Sequence, residues 1–197
     1  MNSDIAPHEA ASLWNLLALR VKTAGDAVAV IDEFDQRLTF AELASTAERV
    51  AAGLLARGIT PGCTVSWQLP TRINTIVLSL ALSRLGVTQN PIIPLYRARE
   101  VGAMIEQCAS QWLVTVPGFR GFDHAAMAEV LRTGSGDRLK VLIVSAELPS
   151  GDPATLPDAP VGSGDVRWIY TTSGTSCLLA DILKTDNDTS VNLTNAA

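Results

Sequence analysis

The 197-residue chain contains the segment Trp168-Ile169-Tyr170-Thr171-Thr172-Ser173-Gly174-Thr175-Ser176. Its first residues are typical of a buried β-strand, and the Gly, Ser and Thr residues that follow are typical of a loop. Small hydroxylated residues let the backbone approach an anion closely, and their N–H and O–H groups can surround phosphate oxygens. The segment therefore predicts a phosphate-binding loop at the end of a strand.

Composition leaves a second interpretation of this segment open. An ordinary Ser/Thr/Gly turn at the end of a strand would have the same residues. The Walker pattern G-x-x-x-x-G-K-[ST], which would favour phosphate binding more strongly, does not occur in the chain. On the residues alone, both interpretations stand.

Helices and strands alternate along the chain before this segment. The best-defined helix begins at Thr39, which forms a capping-box pattern with Glu42, and ends at Gly58. Periodicity predicts further helices at 10–21, 71–85, 100–109 and 124–132, and strands at 27–32, 37–39, 112–116, 139–145 and 166–171. This alternation predicts an α/β fold, layered around a largely parallel sheet with flanking helices.

Three further features complete the predicted fold. Val65, Trp67 and Leu69 alternate with polar residues, so a strand with one buried face is expected there. The prolines in 91–94 argue against a central strand in that segment. Residues 146–165 are rich in Pro and Gly without periodicity, which predicts a connection on the surface.

Charge and cysteine content exclude several classes of protein. Fifteen Lys and Arg against 20 Asp and Glu give a net charge of −5, which argues against a sequence-independent nucleic-acid binder. Three widely spaced cysteines predict neither a disulfide framework nor a structural zinc site. No secretory signal or transmembrane segment is recognisable, and a cytoplasmic protein is expected.

The segment Tyr170 to Ser176 resembles the phosphate-binding loop of the adenylate-forming (AMP-dependent synthetase/ligase) superfamily, which includes acyl-CoA synthetases, luciferases and the adenylation domains of peptide synthetases. Upstream stretches at 38–43, 58–65 and 91–100 resemble the family's N-terminal order and spacing. The resemblance covers about Thr39 to Ser176 and implies the N-terminal part of the family's large domain. Residues 116–123 look most like acyl-CoA or cyclohexanecarboxylate-type CoA ligases.

The resemblance implies a two-step reaction. A small carboxylic acid attacks the α-phosphate of ATP, pyrophosphate leaves, and the acyl adenylate is captured as a thioester by coenzyme A. Mg²⁺ would assist by stabilising charge on the phosphoryl oxygens. Carried over residue by residue, the β- and γ-phosphates would be held by Thr172, Ser173, Gly174, Thr175 and Ser176.

The match to the family ends abruptly after Ser176. The family continues with Gly-x-Pro-Lys-Gly, whereas this chain has Cys177-Leu178-Leu179-Ala180-Asp181, so the lysine is absent. The amino-acid composition of the chain also changes at this point. We therefore expect 1–176 to be a truncated N-terminal portion of an AMP-binding domain and 177–197 to be an atypical, disordered tail.

This truncation has a functional consequence. The resemblance implies that most of the catalytic site lies outside the chain, so no catalytic residue is assigned and the chain alone is expected to be inactive. The alternative is a non-catalytic interaction module derived from the fold. An unrelated doubly wound nucleotide binder would need a Gly-rich turn after the first strand, which the sequence lacks.

Other polar residues have simpler interpretations. His124 begins a predicted helix and is expected at the surface. Arg97, Arg99 and Glu100 could anchor a substrate or coenzyme phosphate, although a solvated turn and a helix start explain them equally well.

The tryptophans within predicted strands are expected to pack in the core; they are Trp67, Trp112 and Trp168.

Overall fold

The computed structural model describes residue 10 and residues 12–160, 165–172 and 180–185. The helices are α1 (Leu13–Ala24), α2 (Phe40–Ala56), α3 (Ile73–Leu85), α4 (Ala98–Gln107) and α5 (His124–Gly134). The strands are β1 (Val28–Ile31), β2 (Arg37–Thr39), β3 (Thr64–Gln68), β4 (Thr88–Pro91), β5 (Trp112–Thr115), β6 (Gly118–Phe119), β7 (Phe122–Asp123), β8 (Lys140–Ile143), β9 (Val166–Thr172) and β10 (Ala180–Thr185).

The main sheet has six strands in the order β10-β9-β4-β3-β5-β8. The five strands from β9 to β8 pair in parallel, and β10 pairs antiparallel to β9. Helices α3, α4 and α5 connect β3 to β4, β4 to β5 and β5 towards β8. The predicted α/β class with a largely parallel sheet is therefore confirmed.

Helix α2 begins with the capping box that the sequence predicts. The Thr39 N–H donates to Glu42 Oε2 at 2.8 Å, and the Glu42 N–H donates to Thr39 Oγ1 at 3.2 Å. These two bonds satisfy amides that have no partner inside the helix. The helix is capped by Arg57, and Gly58 follows with a φ of +90°, a conformation that favours glycine.

Each face of the sheet is covered by its own set of helices. On one face α1, α2 and α3 bury a large apolar cluster that includes Leu54, Leu78 and Val65. On the other face α4 and α5 bury a smaller cluster that includes Met104, Leu113 and Met127. Apolar area removed from water on both faces is the main source of stability in such a fold. No helix in the described part of the chain is both long and apolar enough to cross a membrane.

Strand β3 differs from its sequence prediction. One buried face was expected from the alternation, but Ser66 and Gln68 are as fully buried as Val65. The reason is that β3 is the central strand, flanked by β4 and β5 and covered by helices on both sides. The polar residues therefore face α4 and α5 rather than solvent, and they form buried hydrogen bonds there.

The central strand β4 ends at Pro91, the first residue of the segment 91–94 in which the prolines argue against a central strand. Thr88–Pro91 lies between β3 and β9, and Pro91 pairs in register with Trp67. Pro91 is the last residue of this short strand, so only one position of the ladder lacks an N–H. The expectation for 91–94 therefore fails only at Pro91, since residues 92–94 are not part of a strand, whereas the strand at Thr88–Pro91 itself was not predicted.

The connection 146–160 lies on the surface, as expected, and packs against α2. The Gly151 N–H donates to Arg49 O at 2.9 Å, and Leu148 and Leu156 join the larger apolar cluster. A Cβ at Gly53 would lie 2.5 Å from the carbonyl carbon of Pro149, so glycine is required for this close approach. The connection thereby covers part of α2.

The hairpin β6–β7 and strand β10 are elements that the sequence did not predict. Within the segment that was expected to be a disordered tail, Ala180–Thr185 is a strand paired with β9. Residues 173–179 and 186–197 lie outside the described residues. The division of the chain at residue 176 stays a prediction.

Candidate functional site

The carboxyl ends of the five parallel strands meet at one edge of the sheet. Ligands of open α/β sheets bind outside this edge, because the loops that follow the strands gather there. Strand β9 reaches the edge at Thr172, where the predicted phosphate segment begins. The fold therefore directs the start of that segment to the edge at which such sheets bind ligands.

Strand β9 pairs with β10 next to this segment. Thr172 is in register with Ala180, so the two residues that flank 173–179 are adjacent. Of the five residues predicted to hold phosphates, Thr172 is the last residue of β9. Ser173, Gly174, Thr175 and Ser176 lie outside the described residues, and their role stays a prediction.

Two aromatic side chains of β9 lie on the face of the sheet that α3 covers. The rings of Trp168 and Tyr170 are stacked with centroids 5.9 Å apart and planes 6° from parallel. Burial raises the pKa of the Tyr170 phenol above its ordinary value, because the charged phenolate would be poorly solvated. Tyr170 therefore stays protonated at neutral pH and is suited to packing rather than to accepting a proton. The predicted strand positions of Trp67, Trp112 and Trp168 are confirmed.

A crevice of about 320 Å³ opens at the carboxyl ends of β3, β5 and β8. Its apolar wall includes Leu69, Val116 and Val144, and Asn74 Nδ2 donates to Ala146 O at 2.9 Å across its rim. The charged residues that line it are Asp32, Glu33, Arg72 and Glu147. Because three carboxylates and only one guanidinium line the crevice, its net negative charge would repel a triphosphate. Sequence reasoning missed this crevice because segments far apart in the chain build its walls.

His124 does not lie at the surface, which corrects the sequence expectation. It does begin α5, but it is fully buried, and its ring makes edge contacts with the rings of Phe119 and Phe122. Its Nε2 lies 3.1 Å from Pro94 O and its Nδ1 lies 3.2 Å from Phe122 O. The unpredicted hairpin β6–β7 folds over the ring, so periodicity within the helix could not reveal this burial.

Arg97 directs its guanidinium into the protein. The guanidinium lies 4.0 Å from the centre of the Phe122 ring, and Nη1 donates to Pro94 O and Tyr96 O. The Arg97 N–H donates to Glu100 Oε2 at 3.2 Å at the start of α4. The described contacts of Arg97 and Glu100 are thus those of a turn and a helix start, while Arg99 is exposed.

The model of the family described as AMP-binding enzyme matches residues 17–178. The chain belongs to this family. The matched range includes the whole parallel sheet up to β9 and continues through the predicted phosphate segment. The adenylate-forming resemblance drawn from the sequence is therefore confirmed.

The relatives that the chain resembles are adenylate-forming ligases. It is 29% identical to the salicyl-AMP ligase/salicyl-S-ArCP synthetase of Mycobacterium tuberculosis, over 98% of this chain and 37% of that protein. It is 28% identical to 4-coumarate–CoA ligase 5 of Oryza sativa, over 89% of this chain and 33% of that protein. The apo structure of MbtA from Mycobacterium smegmatis superposes with a TM-score of 0.73 at 29% identity, over 90% of this chain and 34% of that one.

These alignments place the chain within a larger fold. The chain spans about a third of the length of the curated relatives it matches. Over that third, its parallel sheet and helices have the architecture of adenylate-forming enzymes. The acyl substrate, the nucleotide and the acceptor that such names imply belong to those longer proteins.

Proposed function

We propose that this chain is the N-terminal portion of an ATP-dependent acid–CoA ligase and that it is inactive by itself. In the complete reaction, a carboxylate oxygen attacks the α-phosphorus of ATP and pyrophosphate leaves. The thiol of coenzyme A then displaces AMP from the acyl adenylate to form a thioester. Thr172, Ser173, Gly174, Thr175 and Ser176 hold the β- and γ-phosphates in this proposal.

The match of the AMP-binding family to residues 17–178 carries the proposal, because it includes the phosphate segment together with the sheet that leads to it. The pairing of Thr172 with Ala180 supports it further, since the two described residues that flank 173–179 then lie at the ligand-binding edge. A small aromatic acid is the first substrate to test, because relatives named for salicyl and coumarate groups are among those matched.

Two features support inactivity of the chain alone. The family's lysine would face the leaving pyrophosphate, but Ala180 stands at its position. Loss of one preorganised charge-stabilising donor lowers the rate by ~10²–10³. The remaining two thirds of the relatives' length would supply the other contacts.

The proposal assigns no residue of this chain to Mg²⁺ or coenzyme A. Within the described ranges, no group of three His, Cys, Asp or Glu side chains is placed to hold a metal ion. In this proposal, Mg²⁺ and coenzyme A are components of the complete reaction. The ATP and coenzyme A requirement favours a cytoplasmic location.

Restoring the family motif tests the proposal. The four substitutions Cys177→Gly, Leu179→Pro, Ala180→Lys and Asp181→Gly rebuild Gly-x-Pro-Lys-Gly in the full chain. Binding of ATP in the presence of Mg²⁺ should be weak in the original chain and at least about tenfold tighter in the restored variant, since a charged donor to phosphate strengthens the complex. Isothermal titration calorimetry measures the ATP affinity of both proteins. Pyrophosphate exchange by the original chain with salicylate should stay at the level of a blank without protein.

The matched control has the substitutions Cys177→Gly, Leu179→Pro and Asp181→Gly, with Ala180→Met instead of Ala180→Lys. Because Met keeps the length of the side chain without its charge, the gain should disappear. Equal ATP affinities of the restored and control variants would refute phosphate binding by the restored motif. That result would favour the non-catalytic interaction module. Pyrophosphate exchange by the original chain at the rate of a complete ligase would refute its inactivity.

A further inference from the structure

Strand β9 is joined to the rest of the sheet by a very short backbone ladder. Strands β4 and β3 pair at four positions, whereas the register of β4 with β9 consists of one pair, Gln89 with Trp168. Because β9 precedes the phosphate segment, whatever holds its last residues also sets where that segment begins.

Pro91 explains why the ladder stops. In a parallel sheet, successive residues direct their backbone groups alternately to the two neighbouring strands. The Ile92 N–H donates to Trp67 O on β3 at 2.8 Å, so position 91 is directed towards β9. Proline has no N–H, and the next bond of the β4–β9 ladder cannot form from the backbone.

The side chain of Asn90 makes a bond at this place. Its Nδ2 donates to Ile169 O at 2.8 Å, and both residues are buried. Ile169 follows Trp168, the last β9 residue in the β4–β9 ladder. The amide of Asn90 thus reaches the carbonyl that a backbone N–H at position 91 would reach in a regular ladder.

Two buried serines fix the orientation of that amide. Ser66 Oγ donates to Asn90 Oδ1 at 3.0 Å, and Ser66 and Ser110 hydroxyls lie 2.7 Å apart. Since a serine hydroxyl has one proton, Ser110 donates to Ser66 while Ser66 donates to Asn90. With Oδ1 held as an acceptor, Nδ2 is left to donate to Ile169 O.

We propose that Asn90 is a positioning residue that replaces the missing N–H of Pro91 and fixes β9 at Ile169, three residues before Thr172. The side chain thereby sets where the Gly/Ser/Thr segment leaves the sheet. The significance for phosphate binding rests on the proposed function, whereas the link between Asn90, Pro91 and Ile169 does not.

A matched control exists at the other end of β9. Thr88 Oγ1 donates to Val166 O at 3.0 Å, which is another bond from a β4 side chain to a β9 carbonyl. Thr88→Val removes this bond at the residue of β9 that is farthest from the phosphate segment. Its effect should therefore stay near Val166.

Hydrogen exchange of the full chain, followed by mass spectrometry, tests the proposal. Asn90→Ala should make amides in 169–172 exchange about tenfold faster or more, because a buried carbonyl loses its donor. Pro91→Ala alone should change this exchange little. The double variant Asn90→Ala/Pro91→Ala should exchange at least about threefold more slowly than Asn90→Ala, because the alanine that replaces Pro91 supplies a backbone N–H to Ile169 O.

Three outcomes would overturn the positioning role. The first is unchanged exchange of 169–172 in Asn90→Ala, and the second is no slowing of that exchange in the double variant. The third is an acceleration in Asn90→Ala that is as large in α2 and β3 as in 169–172, because Asn90 would then stabilise the whole fold rather than position β9. Confinement of the Thr88→Val effect to the residues around Val166 would support the local action of such bonds. If Thr88→Val accelerated exchange in 169–172 as much as Asn90→Ala does, the result would count against a special role for Asn90.

Binding of ATP separates this proposal from the proposed function. In the chain with the restored motif, Asn90→Ala should weaken ATP binding and Pro91→Ala should recover it. If the restored chain binds no ATP, the proposed function fails while the exchange result still decides the role of Asn90. If ATP binds and Asn90→Ala leaves its affinity unchanged, the positioning of the phosphate segment is refuted.

Discussion

His124 shows how one residue can depend on a contact that its own element does not determine. As the first residue of α5, it would be exposed on an isolated helix, yet both of its ring nitrogens lie near carbonyl oxygens and it is fully buried. The hairpin β6–β7 and the turn at Pro94 create this environment. Its role in the described structure is therefore to join three segments.

Truncation of His124 should destabilise the fold. His124→Ala removes a packed ring and leaves buried carbonyl groups with fewer partners, so the free energy of unfolding should fall by about 2–4 kcal/mol. Urea unfolding followed by circular dichroism measures this change. Val130→Ala on the same helix is the control, because Val130 is 64% exposed and should change stability by about 0.5 kcal/mol or less. Similar small effects for both would contradict the structural role of His124.

At the scale of elements, the contact between α2 and the connection 146–160 depends on Gly53. Glycine is unfavourable inside a helix by about 1 kcal/mol relative to alanine, so helix propensity alone predicts that Gly53→Ala stabilises the protein. The structure predicts the opposite, because the new Cβ would lie 2.5 Å from backbone atoms of Pro149 and Ser150. Backbone atoms in a packed connection cannot move as easily as the end of a side chain.

Gly53→Ala should therefore lower the free energy of unfolding by about 1–3 kcal/mol. Limited proteolysis should also cleave the connection 146–160 faster, because it can no longer lie against α2. Gly134→Ala is the control: nothing lies within 4 Å of a Cβ there, so alanine should be neutral or slightly stabilising. Stabilisation by Gly53→Ala would show that the close approach is not required.

At the scale of the whole molecule, stability is expected to fall from the centre of the sheet towards β9. Strand β3 is paired on both sides and covered by helices on both faces, whereas β9 joins β4 through one register pair and a few side-chain bonds. Amide exchange follows local opening, which is easiest where few backbone bonds and buried contacts must break.

Hydrogen exchange should accordingly be slowest in peptides that cover β3 and α3 and faster in peptides that cover β9. The comparison uses the original chain at one pH and temperature, with fully deuterated protein as the reference. Equal protection of β9 and β3 would contradict this expectation, because it would show that the ladder with β10 and the side-chain bonds from β4 together protect β9 as well as two complete ladders protect β3.

Local pattern was enough to predict most of the fold. The capping box of α2, the buried α3 and the alternation of strands with helices depend on neighbours within a few residues, so the sequence indicates them directly. The family motifs likewise lie in continuous stretches, and the match over residues 17–178 agrees with them. The sequence by itself therefore determined the α/β class and the family.

Tertiary structure alone decided which polar residues are buried and what they hold. Ser66 and Asn90 are 24 positions apart, and their bond exists only because β3 and β4 are adjacent. The burial of His124 likewise requires a contact from Pro94, which lies 30 positions earlier in the chain. Such contacts form between segments that sequence spacing does not relate, and their geometry is set by the order of strands in the sheet. That is the physical reason why the pattern predicted the elements while the polar links between them emerged only from the fold.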